Sequence, residues 1–266
     1  MDETTVEMVL IGNAGKAGEA GDDGPREIAV LHRDGSGPGL FWLGGFRSEM
    51  EGSKASAVDA YAARRGLACT RFDYSGHGRS GGRFEDGTIS RWLTEAEGVF
   101  RRFADGPQIV IGSSMGGWIA LLLAQRLAGS GSLAGLVLIA PAVDMTAALI
   151  WNRMPKAARR ELETAGIVHL PSDYADDPYP ITRGLIEDGK AHLFGDRLIE
   201  TGCPVHILQG TEDTDVPWTT ATDLVTHFAS DDVVLTLVKG GDHRLSRTED
   251  LGRLEAAIDG LIAEAG

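Results

Sequence analysis

The chain has 266 residues, of which 42% are hydrophobic and 24% are charged. These values are ordinary for a globular protein, and the length suits one large α/β domain or two smaller ones. The formal net charge of −14 argues against nucleic acid or an anionic membrane surface as a partner, because either would be repelled. No apolar run reaches about 18 residues, so we predict no integral membrane segment.

Neither the first residues nor the cysteines indicate export or metal binding. Residues 1–7 are acidic where a secretory or mitochondrial leader would be basic, so we expect a cytoplasmic protein. Cys69 and Cys203 each lie beside or within an apolar run, which favours buried, reduced thiols but leaves a disulfide open. No Cys/His cluster has zinc spacing, so we predict no metal and no cofactor.

The predicted elements alternate in type along the chain. Two β-like runs, TVEMVLIG and REIAVLHRDG, flank a Gly- and Asp-rich turn and predict an antiparallel hairpin. Further strands are predicted at 39–44, 67–75, 107–114, 133–142, 203–210 and 232–240, and helices at 51–66, 88–106, 115–128 and 248–264. Thr88 is a plausible N-cap, and Gly66 ends the first helix. This alternation predicts an α/β fold with a mostly parallel, doubly wound sheet of about eight strands.

One long connection interrupts the alternation. Residues 143–202 separate two predicted strands and include the Pro- and Asp-rich stretch HLPSDYADDPYP. A connection of about 60 residues is too long for a plain loop. We therefore predict a helical cap at 143–202, inserted into a core formed by 1–142 and 203–266.

The stretch IVIGSSMGGWIA carries a G-x-S-x-G motif where a predicted strand gives way to a helix. That context is the one expected of a nucleophile elbow. Gly112 and Gly116 leave room for a sharp turn that exposes the middle residue, Ser114. Ser113 is out of register, because a motif centred on it would need glycines where Ile111 and Met115 stand.

A serine hydroxyl needs a base to accept its proton and an acid to orient that base. Of the seven histidines, His243 follows the last predicted strand, from which a loop can return it to Ser114. For the acid we favour Asp213, three residues after the strand that ends at Gly210, and Asp144 and Asp215 remain alternatives. His206 lies inside a strand and is predicted to pack in the core. The remaining histidines are predicted to be misplaced or on the surface: His32, His77, His169, His192 and His227.

Acyl transfer also requires hydrogen-bond donors for the developing oxyanion. One predicted donor is the backbone N–H of Met115, at the positive end of its helix. The second is assigned to the backbone N–H of Phe46, in the loop after the strand at 39–44. Gly44 and Gly45 before it let the backbone approach a substrate closely.

Several segments carry a family resemblance: LGGFRSEMEGSKA, RFDYSGHGRSGG, DGPQIVIGSSMGGW, LQGTEDTDVPW and GGDHR, in this order. Together they resemble the α/β-hydrolase superfamily, and more closely the α/β-hydrolase domain-containing protein ten group. That resemblance, from about residue 28 onward, implies the same triad of Ser114, Asp213 and His243. It implies palmitoyl-protein thioesterase or acyl-glucuronide esterase activity, and structural turn roles for Asp73, Gly76 and Gly78.

We therefore expect a serine hydrolase that cleaves carboxylic esters or thioesters of small molecules or acylated proteins. Runner-up activities on the same fold are those of a cofactor-free perhydrolase, a carbon–carbon bond hydrolase or an amidase. A non-catalytic binding protein is a further alternative. The sequence leaves the oligomeric state open. Aromatic residues that could line an acyl pocket, or simply pack the cap on the sheet, are Trp118, Trp151, Tyr174, Tyr179 and Phe194.

Overall fold

A computed structural model describes residues 5–12, 24–171 and 178–265 of the chain. It contains ten strands: β1 (Val6–Ile11), β2 (Arg26–Arg33), β3 (Ser36–Leu43), β4 (Leu67–Phe72), β5 (Gln108–Ser113), β6 (Leu133–Ile139), β7 (Ile167–Leu170), β8 (Tyr179–Thr182), β9 (Val205–Gly210) and β10 (Val233–Val238). The predicted hairpin is β1 and β2, which pair antiparallel. The third strand begins at Ser36, three residues before the predicted start.

The main sheet has eight strands in the order β1-β2-β4-β3-β5-β6-β9-β10. Only the pairings of β2 with its neighbours β1 and β4 are antiparallel, and every other pairing in this sheet is parallel. The predicted α/β fold with a mostly parallel sheet of about eight strands is confirmed. Parallel strands end at one edge, so the loops after β3, β5, β9 and β10 meet there.

The helices are α1 (Ser53–Arg65), α2 (Ile89–Phe103), α3 (Met115–Arg126), α4 (Lys156–Ala165), α5 (Arg183–Gly189), α6 (Trp218–His227) and α7 (Thr248–Ala265). Thr88 caps α2 by accepting a hydrogen bond from the Arg91 backbone N–H at 3.2 Å. Gly66 ends α1 in the left-handed conformation with φ 67°. The sequence analysis did not predict α6, whose threonine-rich sequence has only Ala221 and Leu224 buried.

The helices cover both faces of the sheet. Buried residues of α1 and α7 pack with strand residues into one cluster. Those of α2, α3 and α6 pack on the opposite face into the larger cluster. Cys69 and Cys203 are both free and buried, as predicted, and burial raises the pKa of the Cys69 thiol to about 12. Among the described residues, no helix combines the length and apolar character needed to cross a membrane.

Between β6 and β9 lies the inserted segment, our name for residues 143–202. It contains a π-helical turn at Thr146–Trp151, then α4, α5 and a separate antiparallel pair formed by β7 and β8. A small cluster of buried apolar residues stabilises it: Met154, Leu162, Val168, Ile181 and Ile186. The assignment of 143–202 as a cap domain stays a prediction, but the segment has regular structure, as the length of the connection indicated.

Candidate active site

Ser114 lies at the sharp turn between β5 and α3. Its backbone has φ 54° and ψ −118°, a strained conformation for a residue with a Cβ atom. A Cβ on Gly112 would lie 2.3 Å from the Gly116 carbonyl oxygen, and one on Gly116 would lie 2.1 Å from the Leu43 carbonyl oxygen. Both motif glycines are therefore required by close backbone packing, which holds the serine at the sheet edge.

The structure brings Ser114, His243 and Asp213 into one hydrogen-bonded series. His243 Nδ1 lies 2.8 Å from Asp213 Oδ2, and His243 Nε2 lies 3.1 Å from Ser114 Oγ. Because an ionised carboxylate only accepts hydrogen bonds, the ring proton belongs on Nδ1. Nε2 is then left with a lone pair that faces the serine hydroxyl, which is the arrangement of a general base.

Asp213 is held in place by donors from its own loop and strand. Its Oδ1 accepts hydrogen bonds from the backbone N–H groups of Asp215 at 3.0 Å and Val216 at 2.8 Å. The Gln209 side-chain amide donates to Oδ2 at 3.0 Å. The Asp213 side chain is fully buried, whereas that of His243 is 15% exposed. Sequence analysis missed Gln209, because a glutamine inside a buried strand gives no sign of its partner.

The two alternative acids have other contacts. Asp144, whose backbone has φ 55°, accepts hydrogen bonds from the backbone N–H groups of Phe194 and Gly195 at 2.8 Å each. It thus ties two parts of the inserted segment together. Asp215 contributes its backbone N–H to Asp213, and its carbonyl oxygen accepts a hydrogen bond from Arg153 at 2.7 Å. The geometry favours Asp213 as the partner of His243.

Asp213, Asp215 and His243 also bring one potential metal-ligand atom each within 4.8 Å of one another. Both oxygens of Asp213, however, already accept hydrogen bonds from N–H groups, and its Oδ2 contacts the imidazole. A cation would have to displace these donors. The cluster therefore fits an acid–base pair better than a metal site.

The two predicted oxyanion donors lie on either side of the serine. Met115 is the first residue of α3, where backbone N–H groups have no acceptor within the helix. On the other side, a Cβ on Gly45 would lie 3.4 Å from the Ser114 Cβ, so the loop that carries Phe46 passes directly beside the nucleophile. Their roles as donors stay predictions, which this placement supports.

A cavity of about 620 Å³ opens over Ser114 and His243. This volume is in the range of pockets for small-molecule ligands. Among the predicted pocket residues, Tyr179 lies on its wall. Trp118 and Phe194 instead pack in the main core with at most 3% of their surface exposed, and neither lines the cavity. Half-buried Trp151 packs on the small cluster of the inserted segment, and Tyr174 lies outside the described residues.

The core and the inserted segment supply different parts of the cavity wall. The inserted segment contributes mainly apolar side chains: Met145, Leu149, Ile150, Leu170, Pro171, Tyr179 and Ile181. Four basic residues also reach the cavity, namely Arg47, Lys54, Arg153 and Arg244, against the two acids Glu49 and Asp215. The cavity wall is thus richer in positive charge than the strongly acidic chain as a whole.

Lys54 connects α1 to the loop that carries the predicted base. Its Nζ donates a hydrogen bond to the backbone carbonyl of Arg244, the residue after His243. Burial lowers the pKa of Lys54 to about 8, and the nearby carboxylate of Asp242 offsets part of that effect. Lys54 therefore helps to fix the position of the histidine loop, a role that the sequence did not indicate.

Two other histidines lie in or near the core. His77, predicted to be misplaced for the triad or on the surface, is not on the surface: it is buried, with 4% of its surface exposed, and its ring contacts Ser75 and Arg47. Half-buried His206 bonds to the Thr236 hydroxyl at 2.9 Å on the neighbouring strand.

Asp73 accepts hydrogen bonds from the backbone N–H groups of Met50 and Arg79, which fits the predicted structural role.

Comparison with known proteins identifies the family of the chain. The family model Hydrolase_4, described as "Serine aminopeptidase, S33", matches residues 49–183. The human protein "Palmitoyl-protein thioesterase ABHD10, mitochondrial" is 35% identical over 236 residues, 88% of this chain and 76% of that protein. Its name places that relative in the mitochondrion, whereas a cytoplasmic location for this chain stays a prediction.

Two solved structures match the fold of this chain over nearly its whole length. Mouse α/β-hydrolase domain-containing protein 10 matches with a TM-score of 0.84 and 30% identity, covering 98% of this chain and 100% of that one. A protein from Agrobacterium vitis S4 assigned to the hydrolases matches with a TM-score of 0.89 and 47% identity, covering 97% and 99%. The chain therefore belongs to the Hydrolase_4 family of α/β hydrolases and is a serine-hydrolase-type enzyme related to ABHD10.

Proposed function

We propose that this enzyme hydrolyses carboxylic esters and thioesters through an acyl-enzyme on Ser114. The observation that carries the proposal is the hydrogen-bonded series from Ser114 through His243 to buried Asp213. Thioester hydrolysis is further supported by the thioesterase name of a relative with 35% identity.

In the first half-reaction Ser114 Oγ attacks the carbonyl carbon while His243 Nε2 takes the hydroxyl proton. The resulting oxyanion accepts hydrogen bonds from the backbone N–H groups of Phe46 and Met115. Collapse of the tetrahedral intermediate breaks the C–O or C–S bond, and His243 delivers its proton to the departing oxygen or sulfur.

In the second half-reaction a water molecule attacks the acyl-enzyme. His243 again accepts the proton, and the tetrahedral intermediate releases the carboxylic acid and regenerates the Ser114 hydroxyl. Asp213 orients the ring throughout and stabilises the imidazolium that forms.

The basic residues of the cavity favour a second substrate class, acyl glucuronides, whose sugar carries a carboxylate. Arg47 and Arg153 line the cavity, and the contacts described for their guanidinium groups are with backbone carbonyl oxygens or aromatic rings. Either could bind an anionic leaving group near Ser114. The apolar side chains of the inserted segment would then hold the acyl part.

A substrate panel tests the proposal directly. Matched oxyesters and S-acyl thioesters from two to sixteen carbons, together with one acyl glucuronide, are assayed with the wild type and with Ser114→Ala as the blank. Rising turnover toward long-chain thioesters would support the thioesterase assignment. Preference for short oxyesters or for the glucuronide would remove long-chain thioesters from the proposal.

Covalent labelling identifies the nucleophile. A fluorophosphonate should label the wild type and Ser113→Ala but not Ser114→Ala. Ser113 is the matched control because it also lines the cavity. Labelling or undiminished turnover of pure Ser114→Ala would rule out the proposed mechanism.

A further inference from the structure

A buried histidine outside the triad lies beneath the loop that carries Phe46. His77 is packed among the rings of Tyr74, Phe84 and Trp92, with ring centroids 5.8, 5.1 and 5.3 Å away. Only 4% of its surface is exposed, and it does not line the cavity. The reaction proposed above makes no use of it.

The two ring nitrogens of His77 have different partners. Nδ1 lies 3.2 Å from the Ser75 carbonyl oxygen, which can only accept a hydrogen bond, so Nδ1 carries the proton. Nε2 then has the free lone pair, and it accepts a hydrogen bond from the Arg47 backbone N–H at 3.1 Å. The contacts thus select a single neutral tautomer.

Burial, reinforced by the charge of Arg47, lowers the pKa of His77 to about 4. The ring therefore stays neutral around pH 7, and Nε2 remains available as an acceptor. Protonation would place a second N–H opposite the Arg47 N–H and break the bond. The environment of His77 thus keeps the ring neutral, which is the form that can accept the hydrogen bond from the Arg47 backbone N–H.

Arg47 directly follows the predicted oxyanion donor Phe46. Its backbone has φ 55°, a left-handed conformation that is unfavourable for arginine and needs support from its surroundings. The Phe46 side chain packs on Phe84 and Trp92, two of the rings that also enclose His77. One aromatic cluster therefore contacts both the ring of Phe46 and the histidine that anchors the next amide.

We propose that His77 is a positioning residue that holds the Phe46 backbone N–H in its oxyanion-binding orientation, by accepting the hydrogen bond from Arg47. This proposal rests on the ester and thioester hydrolysis proposed above. Because a small misplacement of a donor weakens transition-state binding more than ground-state binding, loss of the bond should lower kcat and leave KM almost unchanged.

Two amide substitutions separate the two hydrogen bonds of the ring. In His77→Asn the side-chain amide can reach the place of Nδ1 and keep the Ser75 contact, but no atom replaces Nε2. In His77→Gln the longer side chain places an amide oxygen near the position of Nε2, where it can accept from Arg47. The Ser75 carbonyl keeps a second donor in either variant, the Trp92 indole N–H at 3.2 Å.

The expected result is a split between these variants. His77→Asn should lose about 10- to 100-fold in kcat, less than the loss of an entire oxyanion donor, with KM within about threefold of wild type. His77→Gln should recover most of that loss. Binding of a trifluoromethyl ketone, whose adduct carries the oxyanion, should weaken in His77→Asn by the same factor as kcat/KM.

His32→Phe is the matched control, because it removes a histidine bonded to Thr70 at 2.9 Å on strands away from the cavity. Equal kcat values for His77→Asn and His77→Gln would overturn the proposal and reduce His77 to a packing residue. If a variant does not fold, nitrogen NMR of the wild type decides: a protonated Nε2 on His77 overturns the proposal. Wild-type turnover that survives in Ser114→Ala would overturn the proposed function instead, so the two failures are distinguishable.

Discussion

The two sides of the cavity are built on different principles. On the core side, Ser114, Asp213 and His243 follow β5, β9 and β10, and close backbone packing at Gly112 and Gly116 leaves no room for other residues. On the side of the inserted segment, apolar side chains and an exposed arginine line the wall. From this comparison we expect the core to carry the chemistry and the inserted segment to influence substrate selectivity.

Hydrogen bonding differs in the same way. The buried Asp213 carboxylate is surrounded by N–H donors within 3.0 Å, so its orientation is specified from several directions. Arg153 has one described hydrogen bond, to a backbone carbonyl. Changes on the core side should therefore affect rate and stability, whereas changes in the inserted segment should affect selectivity.

The largest effect is expected at the acid of the triad. Asp213→Asn should lower kcat by about 10⁴-fold, because an asparagine favours the wrong tautomer of His243. Asp215→Asn is the matched control and should stay within a few-fold of wild type. Steady-state kinetics on one ester checks both variants, and the reverse order would move the acid to Asp215.

The second-largest effect is expected at Gly116 in the core, and Gly184 in the inserted segment serves as its comparison. Gly116→Ala should lower the free energy of unfolding by about 1–3 kcal/mol and kcat by about 100-fold, because its Cβ would lie 2.1 Å from the Leu43 carbonyl oxygen. In α5, Gly184 is exposed, and a Cβ there would meet only the Thr182 hydroxyl at 3.9 Å. Gly184→Ala should be neutral or stabilise by up to about 1 kcal/mol.

Urea titration monitored by circular dichroism gives both free energies. A Gly116→Ala variant as stable and active as Gly184→Ala would show that the elbow tolerates a side chain. The contrast between a rigid core side and an adaptable inserted segment would then not hold.

Buried His77 is expected to make the free energy of unfolding depend on pH by about 2 kcal/mol. The pKa of His77 falls from 6.5 to about 4 in the folded protein, chiefly because the ring is buried. Below pH 6.5 the unfolded chain binds a proton that the folded chain does not bind until about pH 4, so stability is lost as the pH falls through this window. His77→Gln removes this contribution.

The free energy of unfolding of His77→Gln should therefore fall by about 2 kcal/mol less than that of wild type between pH 6.5 and 4.5. His169→Gln, on the exposed side of β7 in the inserted segment, is the control and should follow the wild type. Parallel curves for the wild type and His77→Gln would contradict a buried, neutral His77.

The smallest effect concerns selectivity. Arg153→Gln should raise KM for an acyl glucuronide by about three- to tenfold and leave KM for a neutral ester unchanged, because the exposed guanidinium acts only on an anionic group. The difference should shrink at high salt. An equal rise in KM for both substrates would indicate that Arg153 contributes to the shape of the cavity wall but does not distinguish anionic from neutral substrates.

Much of the fold could be predicted because its signals are local. Apolar runs that alternate with helical segments along the chain located the strands of the main sheet. Thr88 and Gly66 marked helix ends that the structure confirms. The β7–β8 pair escaped prediction, since short strands without strong alternation resemble loop. The helix α6 was missed because its threonine-rich sequence lacks a clear apolar period.

The same reasoning explains which candidate site residues could be predicted. Ser114 belongs to a motif whose spacing reflects backbone sterics, and Asp213 and His243 follow strands at predictable places. Trp118 and Phe194 were predicted as pocket residues, but they pack in the core, because aromatic character alone does not say which side of a helix or loop meets the cavity.

By itself the sequence determined the fold, the elbow and a short set of acid and base candidates, since these depend on residue types at short spacing. Only the tertiary structure decided which carboxylate faces His243 and that Gln209 donates a hydrogen bond to that carboxylate. It also decided that His77 contacts the loop that carries Phe46. Those relations join residues that come together when strand ends meet at one edge of the sheet. Their geometry depends on packing, which spacing along the chain does not encode.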